Sequence, residues 1–251
     1  MGGTLVQRKA LETRKIALTS SLAALYTVFR AIPVSKLIGI PGFITAGGMI
    51  APVLGILLDP SYGVFAVFVG TVLASFIPGN GLRFFGLDFL PGATNVVLVS
   101  LVARGRRKEA LLIFLVMIAL FLINPFTEIF VGANLGSPPV PYLWLHLVAL
   151  GFLASPLAGD VRGRLTSGSS RQVLFGVFTL ALTGTMVEHV TGGVLYAIIF
   201  GKGALVAWPA IFVIYPIERA VMIIGSLLAC PLVLLSLRPL RDRLALHEAP
   251  I

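Results

Sequence analysis

The sequence predicts an all-α fold, a polytopic membrane helix bundle of about eight transmembrane helices with both termini cytoplasmic. The 251 residues are 57% hydrophobic and only 12% charged, whereas soluble globular chains carry roughly 25% charged residues. Apolar stretches close to the ~20 residues that cross a bilayer recur along the chain. Basic residues gather beside these stretches. These three observations predict a multi-pass protein of the cell membrane.

Eight apolar segments set the order of the predicted spans. They belong to a single integral membrane domain, 1–251, which begins with a basic cytoplasmic segment, 1–14, and ends in a cytoplasmic tail, 238–251. The segments cover residues 15–32, 43–58, 62–78, 84–103, 110–132, 142–158, 172–200 and 209–237.

The first segment carries small residues along one face. Ala17, Ser20, Ser21 and Ala24 recur at spacings of three and four residues, which places them on one side of a helix. Small side chains let two helices approach closely in lipid. The partner of this face is either another helix of the bundle or another subunit.

The second and third segments are short and closely linked. Each is near the lower limit for crossing ~30 Å of hydrocarbon. Only residues 59–61 connect them, so they are expected to form a tight hairpin. The stretch 36–48 is rich in Gly and Pro and is predicted to be a loop or a partly re-entrant segment. Such backbone is tolerated at membrane depth only where protein or a water-filled cavity covers it.

The distribution of charge supports an even number of spans. If the N-terminus is cytoplasmic, the basic clusters within 104–108, 162–171 and 238–243 follow spans four, six and eight and lie on the same side. An odd number of spans would break this agreement. The net charge of +9 is therefore interpreted as a topology signal, and no nucleic-acid partner is expected.

Ionisable residues interrupt the last two segments. Glu188 and His189 lie in the middle of the seventh, and Glu218 and Arg219 lie at a similar depth in the eighth. A charge near the bilayer centre costs at least ~2.5–3.5 kcal/mol, so such side chains usually face a bundle interior or a cavity. With Asn95 of the fourth segment, they are the candidate substrate-binding residues.

Adjacent helical residues point about 100° apart. Glu188 and His189 therefore either line different walls of one cavity, or the glycines of their segment break the helix. Three interpretations of the ionisable group stay open. The residues pair structurally across the helices, as Glu188 with Arg219 or His189 with Glu218; they line a polar ligand cavity; or His189 relays protons.

Two further polar residues are expected near the outer ends of their spans. Arg30 ends the first segment and is expected to snorkel towards the headgroups. His146 lies early in the sixth segment and is assigned a structural role there.

The sequence contains none of the motifs that mark common catalytic sites. It has no G-x-x-x-x-G-K-[ST] loop, no H-E-x-x-H pair and no G-x-S-x-G turn. Its three histidines and single cysteine, Cys230, are widely scattered, so neither a metal site nor a disulfide framework is expected. No catalytic residue and no cofactor are predicted.

Two parts of the chain carry a family pattern. KIALTSSLAALYTVFRAIPV is followed by a Gly-rich link and GGMIAPVLGILLDPSYGVFAVFVGTVLASF, and IYPIERAVMIIGSLLACPLV lies near the other end. These stretches resemble the substrate-binding subunits (S components) of energy-coupling factor transporters. The resemblance covers roughly the first 100 and the last 45 residues.

The resemblance implies an uptake module without chemistry of its own. Such a subunit captures a vitamin, a metal or a related micronutrient outside the cell. It docks on a transmembrane coupling subunit through its first helix, and ATPase subunits drive ligand release inside. The small-residue face would then carry the docking, and 110–158 would be a helix pair inserted into a six-helix core.

Two alternatives remain beside this interpretation. The chain is a stand-alone secondary transporter, coupled to protons through Glu188 and His189, or it is an intramembrane enzyme or scaffold. Its expected partners under the first interpretation are a small-molecule substrate, membrane lipid, a coupling subunit and ATPase subunits.

Overall fold

The computed structural model of the protein describes residues 2–39, 41–132 and 138–244, with side chains inside 12–234. This part of the chain forms nine α-helices and two short antiparallel hairpins of β-strands. The helices are α1 (Gly2–Ala31), α2 (Gly47–Leu57), α3 (Pro60–Ser75), α4 (Leu90–Ala103), α5 (Arg107–Ile123), α6 (Trp144–Ala154), α7 (Val161–Thr166), α8 (Ser170–Phe200) and α9 (Trp208–Leu244). The strands are β1 (Pro33–Lys36), β2 (Phe43–Thr45), β3 (Phe130–Val131) and β4 (Val140–Pro141).

The predicted helical character is confirmed. Each of the eight apolar segments contains one helix, and the additional helix, α7, has only six residues in the basic stretch between the sixth and seventh segments. Two stretches, Ser170–Ala204 and Trp208–Leu234, are long and apolar enough to cross a membrane.

The fifth helix ends earlier than predicted, and the sequence shows why. Segment 110–132 continues as helix only to Ile123, and Asn124 already has an extended backbone with ψ of 125°. Pro125 follows, and a residue that precedes proline is disfavoured in the helical region by steric clash. The apolar residues beyond this point therefore form a turn and the strand β3.

The predicted loop at 36–48 contains most of a β-hairpin. β1 and β2 pair antiparallel, and α2 begins directly after them at Gly47. The predicted tight connection between the second and third segments is present, because α2 ends at Leu57 and α3 begins at Pro60.

The central helix of the bundle is α8. It contacts α4, α9, α5, α6, α7 and α2. On one side, α4 lies against α8, α2 and α3, and α1 covers α3. On another, α9 covers α8 and α2. This packing brings the middles of α4, α8 and α9 close to the first turn of α2.

Only one face of α1 is used by the bundle. Leu22, Ala23 and Tyr26 are buried against α3, where a Cβ on Gly70 would lie 2.9 Å from the carbonyl oxygen of Ala23. The small-residue face lies elsewhere on the helix, and the described bundle leaves it uncovered. Its exposed members are Ala17, Ser20, Ser21 and Ala24.

Parts of the predicted termini lie outside the described residues. The backbone of α9 runs on into the predicted tail, 238–251, as far as Leu244, and 245–251 are outside the description. Within the basic segment 1–14, α1 begins at Gly2, and side chains are described only from residue 12.

Candidate functional site

A cavity of about 170 Å³ lies where the β1–β2 hairpin meets α8 and α9. The turn at 79–84 and the start of α4 complete its wall. Its charged lining contains four cations, Arg30, Lys36, Arg83 and Arg219, and three carboxylates, Asp88, Glu188 and Glu218. Its ring-bearing lining includes Phe43, Phe84, Tyr142, His189, Tyr196 and Trp208.

Glu188 is held between three helices. It belongs to α8, and the side-chain amide of Asn95 on α4 donates to it at 2.6 Å. The first turn of α2 approaches so closely that a Cβ on Gly48 would lie 3.1 Å from Glu188 Oε2. The partial positive charge at a helix N-terminus favours a carboxylate in this place. Glycine at this position therefore lets α2 come near enough to stabilise the Glu188 charge.

Glu218 and Arg219 lie on α9 and are almost wholly buried. Ser35 of β1 donates a hydrogen bond to Glu218, which ties the β1–β2 hairpin to α9. Arg219 Nη2 lies 3.8 Å from Glu218 Oε2, and Arg219 Nη1 donates to the hydroxyl of Thr185 at 3.3 Å. Both ionisable side chains therefore have polar partners within the protein.

His146, which is buried, and His189, which is half-buried, form a pair. Their ring nitrogens, His146 Nε2 and His189 Nδ1, are 3.0 Å apart. Tyr215 stacks on His189 with ring centres 4.7 Å apart. His146 is 0% exposed, because α6 packs against α8 and turns this residue inward.

One wall of the cavity is aromatic. The Trp208 ring meets Tyr142 edge to face at 5.1 Å and Tyr196 at 5.7 Å. Trp208 Nε1 donates to the carbonyl of Phe126 at 2.8 Å, and the Tyr196 hydroxyl donates to the carbonyl of Ile38 at 3.2 Å. Because these polar atoms are engaged elsewhere, Trp208 and Tyr196 offer mainly ring surface to the cavity.

Arg30 lines the cavity instead of snorkelling away from it. Its Nη1 lies 3.5 Å from the hydroxyl of Thr45 on β2. A Cβ on Gly47 would lie 2.8 Å from Arg30 Cδ, so the first turn of α2 depends on glycine to pass this side chain. Arg30 meets the cavity because the β1–β2 hairpin folds back over the end of α1.

Asp88 stabilises the turn that precedes α4. Its two carboxylate oxygens accept the backbone N–H groups of Arg83 and Phe84 at 2.7 and 2.9 Å. The predicted fourth span begins as irregular backbone for this reason, and helix starts only at Leu90.

Four of the five predicted substrate-binding residues meet at this cavity. Glu188, His189, Glu218 and Arg219 all line it, and α8 runs through the first two without a break. Asn95 lies behind Glu188 and contacts the cavity only through it. Neither predicted cross-helix pair is present among the described contacts, because His189 pairs with His146 and Arg219 with its neighbour Glu218.

The sequence interpretation missed the aromatic wall and Arg30. Tyr142 and Trp208 each stand at the start of an apolar helix, where an aromatic residue is commonplace. The neighbouring glycines 47 and 48 were the available signal, since adjacent glycines at a helix start mark a close approach of other groups. Among the described residues, no group of three His, Cys, Asp or Glu side chains is placed to hold a metal ion.

One curated protein resembles the chain. A protein of Methanocaldococcus jannaschii, described only as uncharacterised, is 24% identical over 184 residues. The match covers 72% of this chain and 59% of the relative's own length. No protein-family model matches the sequence, and no solved structure matches it.

Proposed function

We propose that the chain is a multi-pass membrane protein that captures a small molecule for an energy-coupling factor type of uptake system. The cavity lined by Glu188, His189, Glu218 and Arg219 is the observation that carries the proposal. In this role the chain binds ligand, docks on a coupling subunit through α1, and performs no covalent chemistry.

Exposed apolar surface supports placement in a membrane. In the apolar part of Trp208–Leu234, only 28% of the residues are buried. Val213, Ile217 and Leu228 on this helix are each at least two-thirds exposed. Soluble monomers rarely expose large contiguous apolar patches. In a membrane, lipid would cover this apolar face of α9, and its side chains would not be exposed to water.

The short helices are compatible with eight spans. At 1.5 Å per residue, an 11-residue helix such as α2 is about 16 Å long, half of a ~30 Å hydrocarbon core. The β1–β2 hairpin continues the crossing from α2, and its irregular backbone borders the cavity. Non-helical backbone at membrane depth is tolerated in that setting.

The cavity has the composition of a binding site. Ligand pockets are mostly apolar with a few convergent polar groups, and this one combines aromatic rings with buried ionisable side chains. Intramembrane ionisable residues generally mark substrate or ion pathways. The same residues would be costly if their only role were to pair with one another.

The uncovered small face of α1 supports a partner subunit. Ala17 and Ser21 are exposed one turn apart, and small residues at this spacing allow close packing of helices in lipid. No described helix of the bundle occupies the face. A coupling subunit with a complementary helix is the partner that the proposal assigns to it.

The test is recovery of partner subunits from the native membrane. The tagged chain should copurify with a multi-span membrane protein and with ATPase subunits that contain a Walker A loop. Ala17→Leu and Ser21→Leu should reduce this recovery several-fold, because the added bulk separates the helices. Ile16→Leu, at a neighbouring exposed position of the same helix, keeps the side-chain size and serves as the control.

Two results would contradict the proposal at different points. Equal recovery of partner subunits with all three variants would contradict docking through the small-residue face of α1. Absence of any ATPase subunit from the wild-type preparation would remove the energy-coupling factor assignment itself.

A stand-alone proton-coupled carrier is a second candidate, favoured by one observation. His189 borders the cavity next to Glu188 and shares a 3.0 Å contact with His146, an arrangement in which a proton can pass between rings. Reconstitution of the chain alone in liposomes discriminates the two. Uptake that stops when the proton gradient is collapsed would favour the carrier, and no uptake by the lone chain would favour the capture subunit.

A further inference from the structure

Three residues of the cavity lining each have a buried polar group with no partner among the described residues. These groups are the Nε–H of Arg30, the hydroxyl of Tyr142 and the Nε–H of Arg219. Tyr142 is 1% exposed and Arg219 is 3% exposed. Buried polar groups are seldom left unpaired. All three can donate a hydrogen bond, so the cavity has donors that still need acceptors.

The carboxylates of the lining do not meet this need. Glu188 accepts from Asn95, and Asp88 accepts two backbone N–H groups. Glu218 accepts from Ser35 and lies 3.8 Å from Arg219 Nη2. None of the three carboxylates accepts from the unpaired groups. Arg30, in contrast, belongs to no ion pair in the described part of the chain. The unpaired donors of Arg30, Tyr142 and Arg219 therefore favour a ligand with negatively charged oxygen atoms.

The aromatic wall sets a second requirement. Tyr196 and Trp208 have their polar atoms engaged by carbonyls of Ile38 and Phe126. Their side chains are 7% and 1% exposed, so they border the cavity as packed rings. Planar apolar groups pack well against such rings. A cavity of about 150 Å³ accommodates benzene, and this one measures about 170 Å³. One ring with a small substituent fits this volume.

We propose that the cavity binds a small organic acid with one planar ring. The ring packs against Tyr196 and Trp208, and the carboxylate accepts hydrogen bonds from Tyr142, Arg219 and Arg30. This inference rests on the proposed capture function and deepens it by assigning the ligand class of the same site.

Three probes of nearly equal shape test the assignment of charge. Benzoate, benzamide and benzamidine share a ring and a planar substituent, and they carry negative, zero and positive charge. Each is titrated into the purified full-length chain in detergent by calorimetry. Benzoate should bind, and the other two should bind at least about tenfold more weakly, since each lacks the charge-assisted acceptor pair.

Tyr142→Phe tests the assigned contact. It removes only a hydroxyl that has no partner in the described protein, so the unliganded chain should keep its melting temperature. Benzoate affinity should fall about tenfold, the effect of losing one hydrogen bond to a charged group. Tyr62→Phe removes a hydroxyl from α3 outside the cavity lining and should leave benzoate affinity unchanged.

The outcomes separate this inference from the proposed function. Preference for benzamidine, or unchanged benzoate affinity in Tyr142→Phe, would overturn the organic-acid assignment while small-molecule capture still stands. Binding of none of the probes would also overturn the assignment. Benzoate binding without copurified ATPase subunits would uphold the ligand class and contradict the proposed transport system.

Discussion

The side-chain amide of Asn95 on α4 donates to Glu188 on α8 at 2.6 Å, and this bond fixes the position of a half-buried carboxylate in the cavity wall. Asn95 is 0% exposed, and Glu188 is partly exposed to the cavity. The contact joins the two helices at mid-length and accounts for a polar residue within an otherwise apolar helix.

Loss of this donor should destabilise the protein. Asn95→Leu leaves the Glu188 charge without its amide partner, which should cost about 1–3 kcal/mol in the free energy of unfolding. Chemical denaturation in detergent measures the change. The double variant Asn95→Leu/Glu188→Gln should recover part of the loss, because the charge is removed as well. Equal stability of the single variant and the wild type would show that the bond contributes nothing.

Gly184 on α8 leaves room for Asn95 beside Glu188, and its replacement gives a second prediction. A Cβ on Gly184 would overlap Asn95 Oδ1 and lie 2.9 Å from Val99 Cγ2. Gly184→Ala should therefore lower the melting temperature. Gly192→Ala on the same helix meets only Pro91 at 3.9 Å, and should be neutral or stabilising, since alanine favours a helix by about 1 kcal/mol over glycine.

The comparison of these two glycines checks the packing directly. Equal effects of both substitutions on thermal unfolding would contradict the close approach of α4 and α8. A larger decrease in melting temperature for Gly192→Ala than for Gly184→Ala would reverse the predicted order and locate the tight contact elsewhere along α8.

The sequence predicted the ionisable residues of the cavity better than their partners. Glu188 and Arg219 stand out because a charge within an apolar helix is expensive where either apolar protein or lipid surrounds it, and that argument needs no coordinates. Which donor each one meets depends on the rotation of α8 and α9 about their axes. Hydropathy does not encode that rotation. The Glu188–Arg219 pair was one of the alternatives that the sequence left open, and it is not among the described contacts.

The remaining parts of the cavity depend on long-range packing. Arg30 ends a helix and would reach the headgroups if the chain continued outward, but the β1–β2 hairpin returns across it. Tyr142 enters the wall from the connection between β4 and α6, in the stretch interpreted from the resemblance as an insertion. Aromatic residues are common at such helix starts, so nothing in the local sequence separates this one.

An ion pair network should stabilise the opposite part of the bundle. Asp59, in the α2–α3 connection, lies 3.2 Å from Arg104 and 3.5 Å from Lys15. Arg104 also donates to the carbonyl of Gly55 at 3.1 Å. Arg104→Met removes the bonds from Arg104 to Asp59 and to Gly55 and leaves the Lys15–Asp59 pair. It should therefore lower the free energy of unfolding by more than the ~0–1 kcal/mol of a surface pair.

Another ion pair of the chain supplies the control for this variant. Arg106 and Glu109 are 3.1 Å apart with side chains 57% and 48% exposed, so Arg106→Met should change the melting temperature little. The measurement is thermal unfolding of both variants at low and high salt. Equal decreases in melting temperature for Arg104→Met and Arg106→Met would show that the network stabilises the protein no more than an exposed ion pair does.

The attachment of the β1–β2 hairpin gives the last prediction. The Tyr196 hydroxyl donates to the carbonyl of Ile38 at 3.2 Å, and the backbone N–H of Leu37 is bonded to Gly42 within the same turn at 3.0 Å. Tyr196→Phe removes the bond from α8 to the hairpin. Local opening then needs less free energy, so hydrogen exchange of the hairpin amides should become several-fold faster. Tyr215→Phe, which loses a 3.0 Å bond to the carbonyl of Tyr142, should leave hairpin exchange unchanged, and the same acceleration in both variants would assign the effect to general loosening of the bundle.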